Sequence, residues 1–366
     1  MKRLLVAISF LITVIAVPPA QAASSIYLVD KPHQLVDGSF IDDELATALL
    51  PSGKFGRYVY SPPRGSITWY VDAALLESIS DMSDGYQLPD GQDGSGVLAA
   101  KSWLTRFALT TSGDRILTVP YGNPDPKIAQ RLAPSELNFY YEFGKAKVEL
   151  LIPGHKVETA SASDSQGQST LSAPLRKAYT KNRQAITRLS TVINNEVVKE
   201  LRASLAISMN PLLTKSEQLE ITKNATSVVE KFTNKLRVTN GKYQLTSKKV
   251  KVPVTLKNDF DEPVKVYLHL APSNTRVTVG TQFEVTIPAK SRTQFSVPFN
   301  VIAPGSTVVT AEITNEKGQV VGSPALLQLN LSIFDSRVAW FTSGAGILLL
   351  IAAMTQTIRR VRRSRK

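Results

Sequence analysis

The chain contains no cysteine. Structural disulfides, thiolate metal centres, a cysteine nucleophile and attachment through a lipidated cysteine are all excluded by that one fact. Histidine is nearly as scarce. His33, His155 and His269 are the only three, and no two stand close enough in sequence to form a helical metal-binding pair. No glycine-rich phosphate loop and no G-x-S-x-G nucleophile elbow occurs, so the residues call for no cofactor and no metal. Acidic residues run short as well, 30 against 43 Lys and Arg, for a formal charge of +13. Lys2 and Arg3 account for two of the thirteen and the last eight residues for six more. The excess of five that remains is too mild for a nucleic-acid footprint; its first expected role is solubility, with attraction to anionic wall polymers or lipid headgroups as the alternative.

One shortage is local. Val338 to Ile358 (VAWFTSGAGILLLIAAMTQTI) holds no charged residue. As a helix rising about 1.5 Å per residue it would span roughly 31 Å, the thickness of a hydrocarbon core. Arg359, Arg360, Arg362, Arg363, Arg365 and Lys366 follow at once, and such clusters fix orientation by staying on the cytoplasmic side. Trp340 and Phe341 stand at the other end, where aromatic rings favour the interface. At the start of the chain, Lys2 and Arg3, the apolar run Leu4 to Val17, Pro18-Pro19 and Ala20-Gln21-Ala22 compose a secretory signal with cleavage expected after Ala22. The expected location is the cell membrane, single-pass type I, with the N-terminal part outside and the C-terminus in the cytoplasm. The lipid bilayer is then the first partner.

Between signal and anchor lie roughly 315 residues, enough for two domains. Residues 23–158 alternate short apolar strands with helices. Ile26–Val29, Ile67–Val71 and Ile116–Val119 are the strands; Asp42–Leu50, Ala73–Ile79, Val97–Thr110 and Ser135–Ile152 are the helices, the last with Ser135 as N-cap. Strands of this kind suit a parallel sheet covered on both faces, hence a partial, barrel-like α/β head. Ser80–Gly96 reads as a long loop, and 159–173 as a polar linker around TASASDSQGQSTLS. Residues 174–237 predict a hairpin of two helices, the first unbroken from Pro174 to Met209. Thr214 and Glu217 form a capping box that opens the second. From 238 to 332 the hydrophobic period changes to two. Val250/Val252/Val254/Leu256, Val264/Val266/Leu268/Leu270, Thr281–Ile287, Thr293–Val301, Thr307–Thr314 and Ala325–Leu331 predict an immunoglobulin-like β-sandwich. The fold class is therefore α+β multidomain, ending in a transmembrane helix (338–358) and a basic tail (359–366).

Asp30, Asp72 and Asp125 each follow a predicted parallel strand, where α/β enzymes place reactive groups. Two carboxylates there would suit acid–base attack on a glycan, with His33 as a possible added ligand. The same aspartates equally suit capping of the helices that follow them, as Asp72 before Ala73-Ala74-Leu75 would. Trp69, Tyr70, Trp103 and Tyr121 are the aromatic candidates for stacking on sugars, against the competing role of core packing.

The stretches Asp30 with Pro32-His33, FIDDEL (Phe40–Leu45), ITWYVDAALL, AAKSWL (Ala99–Leu104) and VPYGNPD resemble an uncharacterised family of exported actinobacterial single-pass membrane proteins, as does Tyr243–Leu270. Members are often labelled glycoproteins and are encoded near the lipid II flippase. Two features depart from that pattern: Ala73 stands where the family has proline, and the chain looks shorter than other members. The resemblance implies an envelope location with wall-precursor or polysaccharide machinery, other envelope proteins or cell-wall polymers as partners, and no established reaction. The expected function is a non-catalytic binding or scaffolding role, with an envelope glycan hydrolase or deacetylase as the alternative.

Overall fold

The computed structural model describes residues 24–161, 170–193, 195–332 and 336–363. The chain divides into two compact units. The first comprises Met1–Gln34, Ser39–Ser169 and Asn210–Leu212; the second comprises Leu35–Gly38, Thr170–Met209 and Leu213–Lys366. Residues 1–22, expected as a signal peptide, most of 159–173, expected as a polar linker, and Arg365 and Lys366 lie outside the described residues.

In the first unit the chain runs β1 (Ser24–Leu28), α1 (Glu44–Ala48), α2 (Gly56–Tyr60), β2 (Ile67–Val71), α3 (Ala73–Asp84), α4 (Val97–Thr110), β3 (Arg115–Thr118), α5 (Pro126–Leu132), α6 (Pro134–Leu151) and β4 (Val157–Thr159). The four strands form one parallel sheet in the order β1-β2-β3-β4. Parallel strands in sequential order need crossover connections, and the helices between them supply these. Among the described residues the sheet is open, with β1 and β4 as its edges, and does not close into a barrel. On the helical face Ile67, Trp69 and Val71 are buried, and Trp69 meets Phe107 of α4 edge-on with centroids 5.7 Å apart. On the other face Tyr27 and Tyr70 stack at 4.5 Å and pack against Val29, Leu117, Val119 and Ala160.

Several boundaries differ from expectation. α3 runs on to Asp84, since Ile79 and Met82 continue its buried stripe into the stretch read as loop. α6 begins at Pro134 with Ala133 as N-cap, so Ser135 is not the cap. Thr159 belongs to β4, the edge strand, and not to the linker. α2, α5 and β4 are too short for a periodic pattern to announce them.

In the second unit the stretch Pro174–Met209 is not one helix. α7 (Ala173–Leu189) ends where the Ser190 and Thr191 hydroxyls donate to Thr187 O and Arg188 O. α8 (Glu196–Ser204) starts afresh with the Asn195 side chain accepting from Val198 N, and a 3-10 turn over Leu205–Met209 follows. α9 (Lys215–Thr233) opens on the Thr214–Glu217 capping box and packs on α7, where Asn182 donates to Thr226 at 2.9 Å.

The β elements are β5 (Leu236–Val238), β6 (Gly241–Leu245), β7 (Lys249–Asn258), β8 (Val264–Pro272), β9 (Val277–Val279), β10 (Gln282–Ile287), β11 (Ser291–Val301), β12 (Gly305–Thr314) and β13 (Ala325–Leu331). They form two sheets, β10-β8-β12-β13-β6 and β5-β7-β11-β9. Alternation buries one side chain in two along β13 (Ala325, Leu327, Leu329 and Leu331), and Val252, Val254 and Leu256 of β7 in the other sheet are buried in the same alternating way. The result is an immunoglobulin-like sandwich. Asn258 is buried at one end of it. Its amide donates to the carbonyls of Glu262, Ile287 and Pro288, and its Oδ1 accepts from Phe260 N, tying the 258–263 turn to the strands.

The last element, α10 (Ser336–Arg363), is 28 residues long. Its side chains are described for 344–360, so Trp340, Phe341, Arg362 and Arg363 fall outside. The described side chains omit the first six residues of Val338–Ile358, and among the described residues no helix is long and apolar enough to cross a membrane.

Candidate functional site

The carboxyl edge of the parallel sheet gathers the aspartates singled out by sequence. β2 ends at Val71, and Asp72 keeps extended backbone while its Oδ1 accepts from Ala74 N at 3.0 Å and Gly122 N at 2.8 Å. Those bonds cap α3 and pin the loop after β3, where Gly122 and Asn123 both take positive φ. Burial is complete and pushes the Asp72 carboxyl up to about 7, against the lowering effect of the two amides; Glu77 nearby adds to the rise. Asp125 is buried too and caps α5, with Oδ1 accepting from Lys127 N (2.9 Å) and Ile128 N (3.1 Å). The two carboxylates therefore cap separate helices.

Asn210 completes this edge. It is fully buried, and its Nδ2 donates to Asp30 O (2.9 Å) and Gly122 O (3.1 Å) while Oδ1 accepts from Leu212 N (2.9 Å). The bonds join the ends of β1 and β3. Nothing local to Asn210-Pro211 foretells partners 88 and 180 residues away.

Asp30 has a different setting. His33, 3% exposed, lies between two carboxylates, with Nδ1 2.9 Å from Asp42 Oδ1 and Nε2 3.6 Å from Asp30 Oδ2. Lys54 pairs with Asp30 at 2.9 Å, and Lys31 reaches Asp42 at 3.5 Å and Glu44 at 3.2 Å. Burial alone would lower the imidazole; the flanking carboxylates outweigh it and raise it to about 9. Burial opposes ionisation of Asp30 and Asp42, but the His33 contacts, with Lys54 and Lys31, hold both below the usual carboxylate value. The group is an internally neutralised ion network, three carboxylates against three cations. A histidine held as imidazolium is no base, and its carboxylates are engaged, so the arrangement orders the 30–44 loop and offers no acid–base pair. Ligand atoms of His33, Asp42 and Glu44 do lie within 4.8 Å of one another. Lys31 Nζ already bridges the two carboxylates, so a metal ion would have to displace that ammonium as well as the imidazole proton.

The aromatic candidates resolve in the same direction. Trp69 and Trp103 are wholly buried: Trp69 donates to Asp114 Oδ2 at 2.9 Å and Trp103 stacks on Phe107 at 4.8 Å. Neither has a face for a sugar, so these two expectations are corrected to core packing. Tyr121, 8% exposed, donates to Glu77 Oε2 at 2.5 Å, and Lys147 holds the other oxygen at 3.0 Å. Tyr70 is half-buried under Tyr27. An open groove of about 670 Å³ does exist in this unit, lined by residues 112–115, 153–156 and Glu158. It lies where β3 and β4 begin, at the opposite edge of the sheet from the aspartates. Its His155 is held by the carbonyls of Ile152 and Ala108, each at 3.1 Å.

Residues 138–366 match the family of unknown function DUF6049, a stretch that takes in more than half of the chain. The chain belongs to the DUF6049 family. No curated protein is significantly similar in sequence. Among solved structures, it is similar to WR4, an MSP family member of C. elegans (8% identity, 27% of this chain and 98% of that one, TM-score 0.21). It is similar also to the CARDB domain of the PF1109 protein of Pyrococcus furiosus in complex with di-metal ions (13%, 27% and 92%, TM-score 0.22). A third is the PapD-like domain 7 of human CEP192 (12%, 28% and 87%, TM-score 0.21). At such scores these likenesses carry no argument about what a DUF6049 protein binds.

Proposed function

We propose that this DUF6049 member is a single-pass membrane protein of the cell envelope whose exported part binds or scaffolds and does not catalyse. The observation that carries the reading is α10. Five successive residues, Ile347 to Ile351, are each at least 53% exposed, and Met354 and Ile358 are bare as well. Consecutive helical residues point about 100° apart, so five of them cover every side of the helix. A helix that is apolar all round and has no protein packed on it suits a lipid environment. Arg359 and Arg360 close the apolar stretch, and a cytoplasmic C-terminus follows from them. The non-catalytic half of the reading is supported by the aspartates, since two cap helices and the third is neutralised in an ion network. The glycan hydrolase alternative asked for carboxylates free to act together, and this geometry offers it no support. Wall-precursor machinery or wall polymers are the partners the family resemblance favours.

The experiment is protease treatment of intact cells combined with alkaline washing of membranes. Digestion of the part before residue 336 together with retention of α10 in washed membranes is the expected result. Protection of that part, or release of the intact chain by the wash, would refute the reading.

A further inference from the structure

The two ends of the sandwich differ in chemistry. β13 finishes at Leu331, opposite Gly305 of β12 and Leu245 of β6. In the other sheet Asn300 of β11 pairs with Lys249 of β7, and Val301 with Val277 of β9. The loops at this end are therefore 246–248, 273–276 and 302–304. Backbone bonds stitch them to their neighbours: Val301 N donates to Lys248 O, Ile302 N to Arg276 O and Ser332 N to Leu245 O, each at 2.8 Å.

Lys248, Lys249 and Arg276 are exposed at this end, and Lys251 follows on the same face of β7. The stretches 240–256, 270–283 and 291–311 contain no Asp or Glu. Among the described residues none of these four cations has an ion-pair partner. Ile302 stands among them, 64% exposed. At the opposite end the 258–263 turn carries Asp259, Asp261 and Glu262, and nearby cations are paired there: Lys257 with Asp259 at 2.7 Å, Arg237 with Asp259 at 2.9 Å, Lys290 with Asp261 at 3.1 Å. Opposite charges are thus neutralised at one end, while at the other, among the described residues, the cations have no acidic partner, Arg276 reaching only the Pro304 carbonyl at 3.4 Å, and a bare isoleucine lies beside them.

The basic end is the one from which the chain passes into α10. Leu331 and Ser336 are five residues apart, so the start of the helix lies within about 18 Å of it. We infer that this end of the sandwich rests on the anionic phospholipid headgroups of the leaflet that α10 enters. Lys248, Lys249 and Arg276 face lipid phosphates, and Ile302 enters the interface. The inference depends on the membrane reading above and adds to it a lipid preference and a fixed seat for the sandwich.

The absence of cysteine makes the test clean, because one introduced thiol takes the only label. The full chain is reconstituted in lipid nanodiscs with a spin label at Thr275→Cys, in the basic end, or at Glu316→Cys, in a turn at the far end. Accessibility to oxygen and to a water-soluble nickel complex is then measured. In discs containing phosphatidylglycerol the label at 275 should shift towards oxygen and away from nickel, while the label at 316 stays aqueous. Each cation near an anionic leaflet favours contact by about fivefold, so Lys248→Gln with Lys249→Gln should lower the ratio of docked to undocked label by about 25-fold. Discs of phosphatidylcholine alone should show the same loss. An equally aqueous label at 275 in both lipids, or no effect of the double substitution, overturns the inference while leaving the membrane reading intact. Displacement of the label from the bilayer by soluble poly(glycerol phosphate) would overturn it in favour of a polymer site. Failure of the chain to co-purify with discs of any composition overturns both.

Discussion

Replacing Asp72 with asparagine should make the first unit more stable in base and leave it little changed in acid. The folded carboxyl titrates at about 7 and the unfolded one at 3.8. Below 3.8 both states carry the proton and the group adds nothing to pH dependence. Between the two values the folded state binds a proton that the unfolded state has released, so stability falls as pH rises. Above about 7 the full cost is present. At 1.36 kcal/mol per tenfold it amounts to roughly 4 kcal/mol. Asparagine is isosteric, is a good N-cap, and its Oδ1 can accept from the same Ala74 and Gly122 amides, but it cannot ionise. The stability difference between variant and parent should therefore swing in the variant's favour by up to about 4 kcal/mol between pH 4 and pH 8. Urea titration followed by tryptophan fluorescence reads it out. Two of the three tryptophans, Trp69 and Trp103, are buried in the first unit, and Trp340→Phe removes the third. A difference that stays flat across this pH range would mean that Asp72 is ionised throughout and that burial does not govern it.

His33 should act in a neighbouring pH window. Its folded value of about 9 lies above the unfolded 6.5, so its stabilisation is whole below 6.5 and disappears as pH rises through 9; roughly 3 kcal/mol is at stake, and His33→Gln should abolish that slope in the same fluorescence assay. Asn210→Ala strips the carbonyls of Asp30 and Gly122 of a buried donor and should cost about 3 kcal/mol, with faster hydrogen exchange in the 120–125 loop. Trp103→Ala should cost about 3–5 kcal/mol by opening a cavity beside Phe107, whereas a tryptophan serving only a sugar site would leave the urea midpoint near its parent value.

How far the sequence foretold all this depends on the range of the interactions involved. β2 and β13 were legible to the residue, because an uninterrupted apolar run and a clean alternation are local signals. The Thr214–Glu217 capping box was legible for the same reason: its partners are three residues apart. The break between α7 and α8 was not, since Leu189, Ile193 and Val197 keep helical spacing straight through it. The backbone leaves the helix there because the Ser190 and Thr191 hydroxyls bond back to the preceding turn and Asn195 starts a new cap. At the candidate site, sequence placed Asp30, Asp72 and Asp125 correctly on one edge of the sheet but could not say what each faces. Asp72 is decided by Gly122, fifty residues on, and Asp30 by Lys54 and His33. Trp69 and Trp103 look like sugar platforms only until the helices stack over the sheet.

The pairing of β13 with β6 bears on how the molecule carries load. β6 enters the sheet at Gly241 and runs alongside β13 in the same direction, so the segment arriving from α9 and the segment leaving for α10 are attached at opposite ends of two adjacent strands. A pull between them slides the strands lengthwise and strains all the intervening hydrogen bonds together, where a hairpin arrangement would let them peel apart one by one. β12 braces β13 along its other side over seven residue pairs, from Gly305 to Ala311. Tension reaching α10 from the rest of the chain meets a clasp that resists shear.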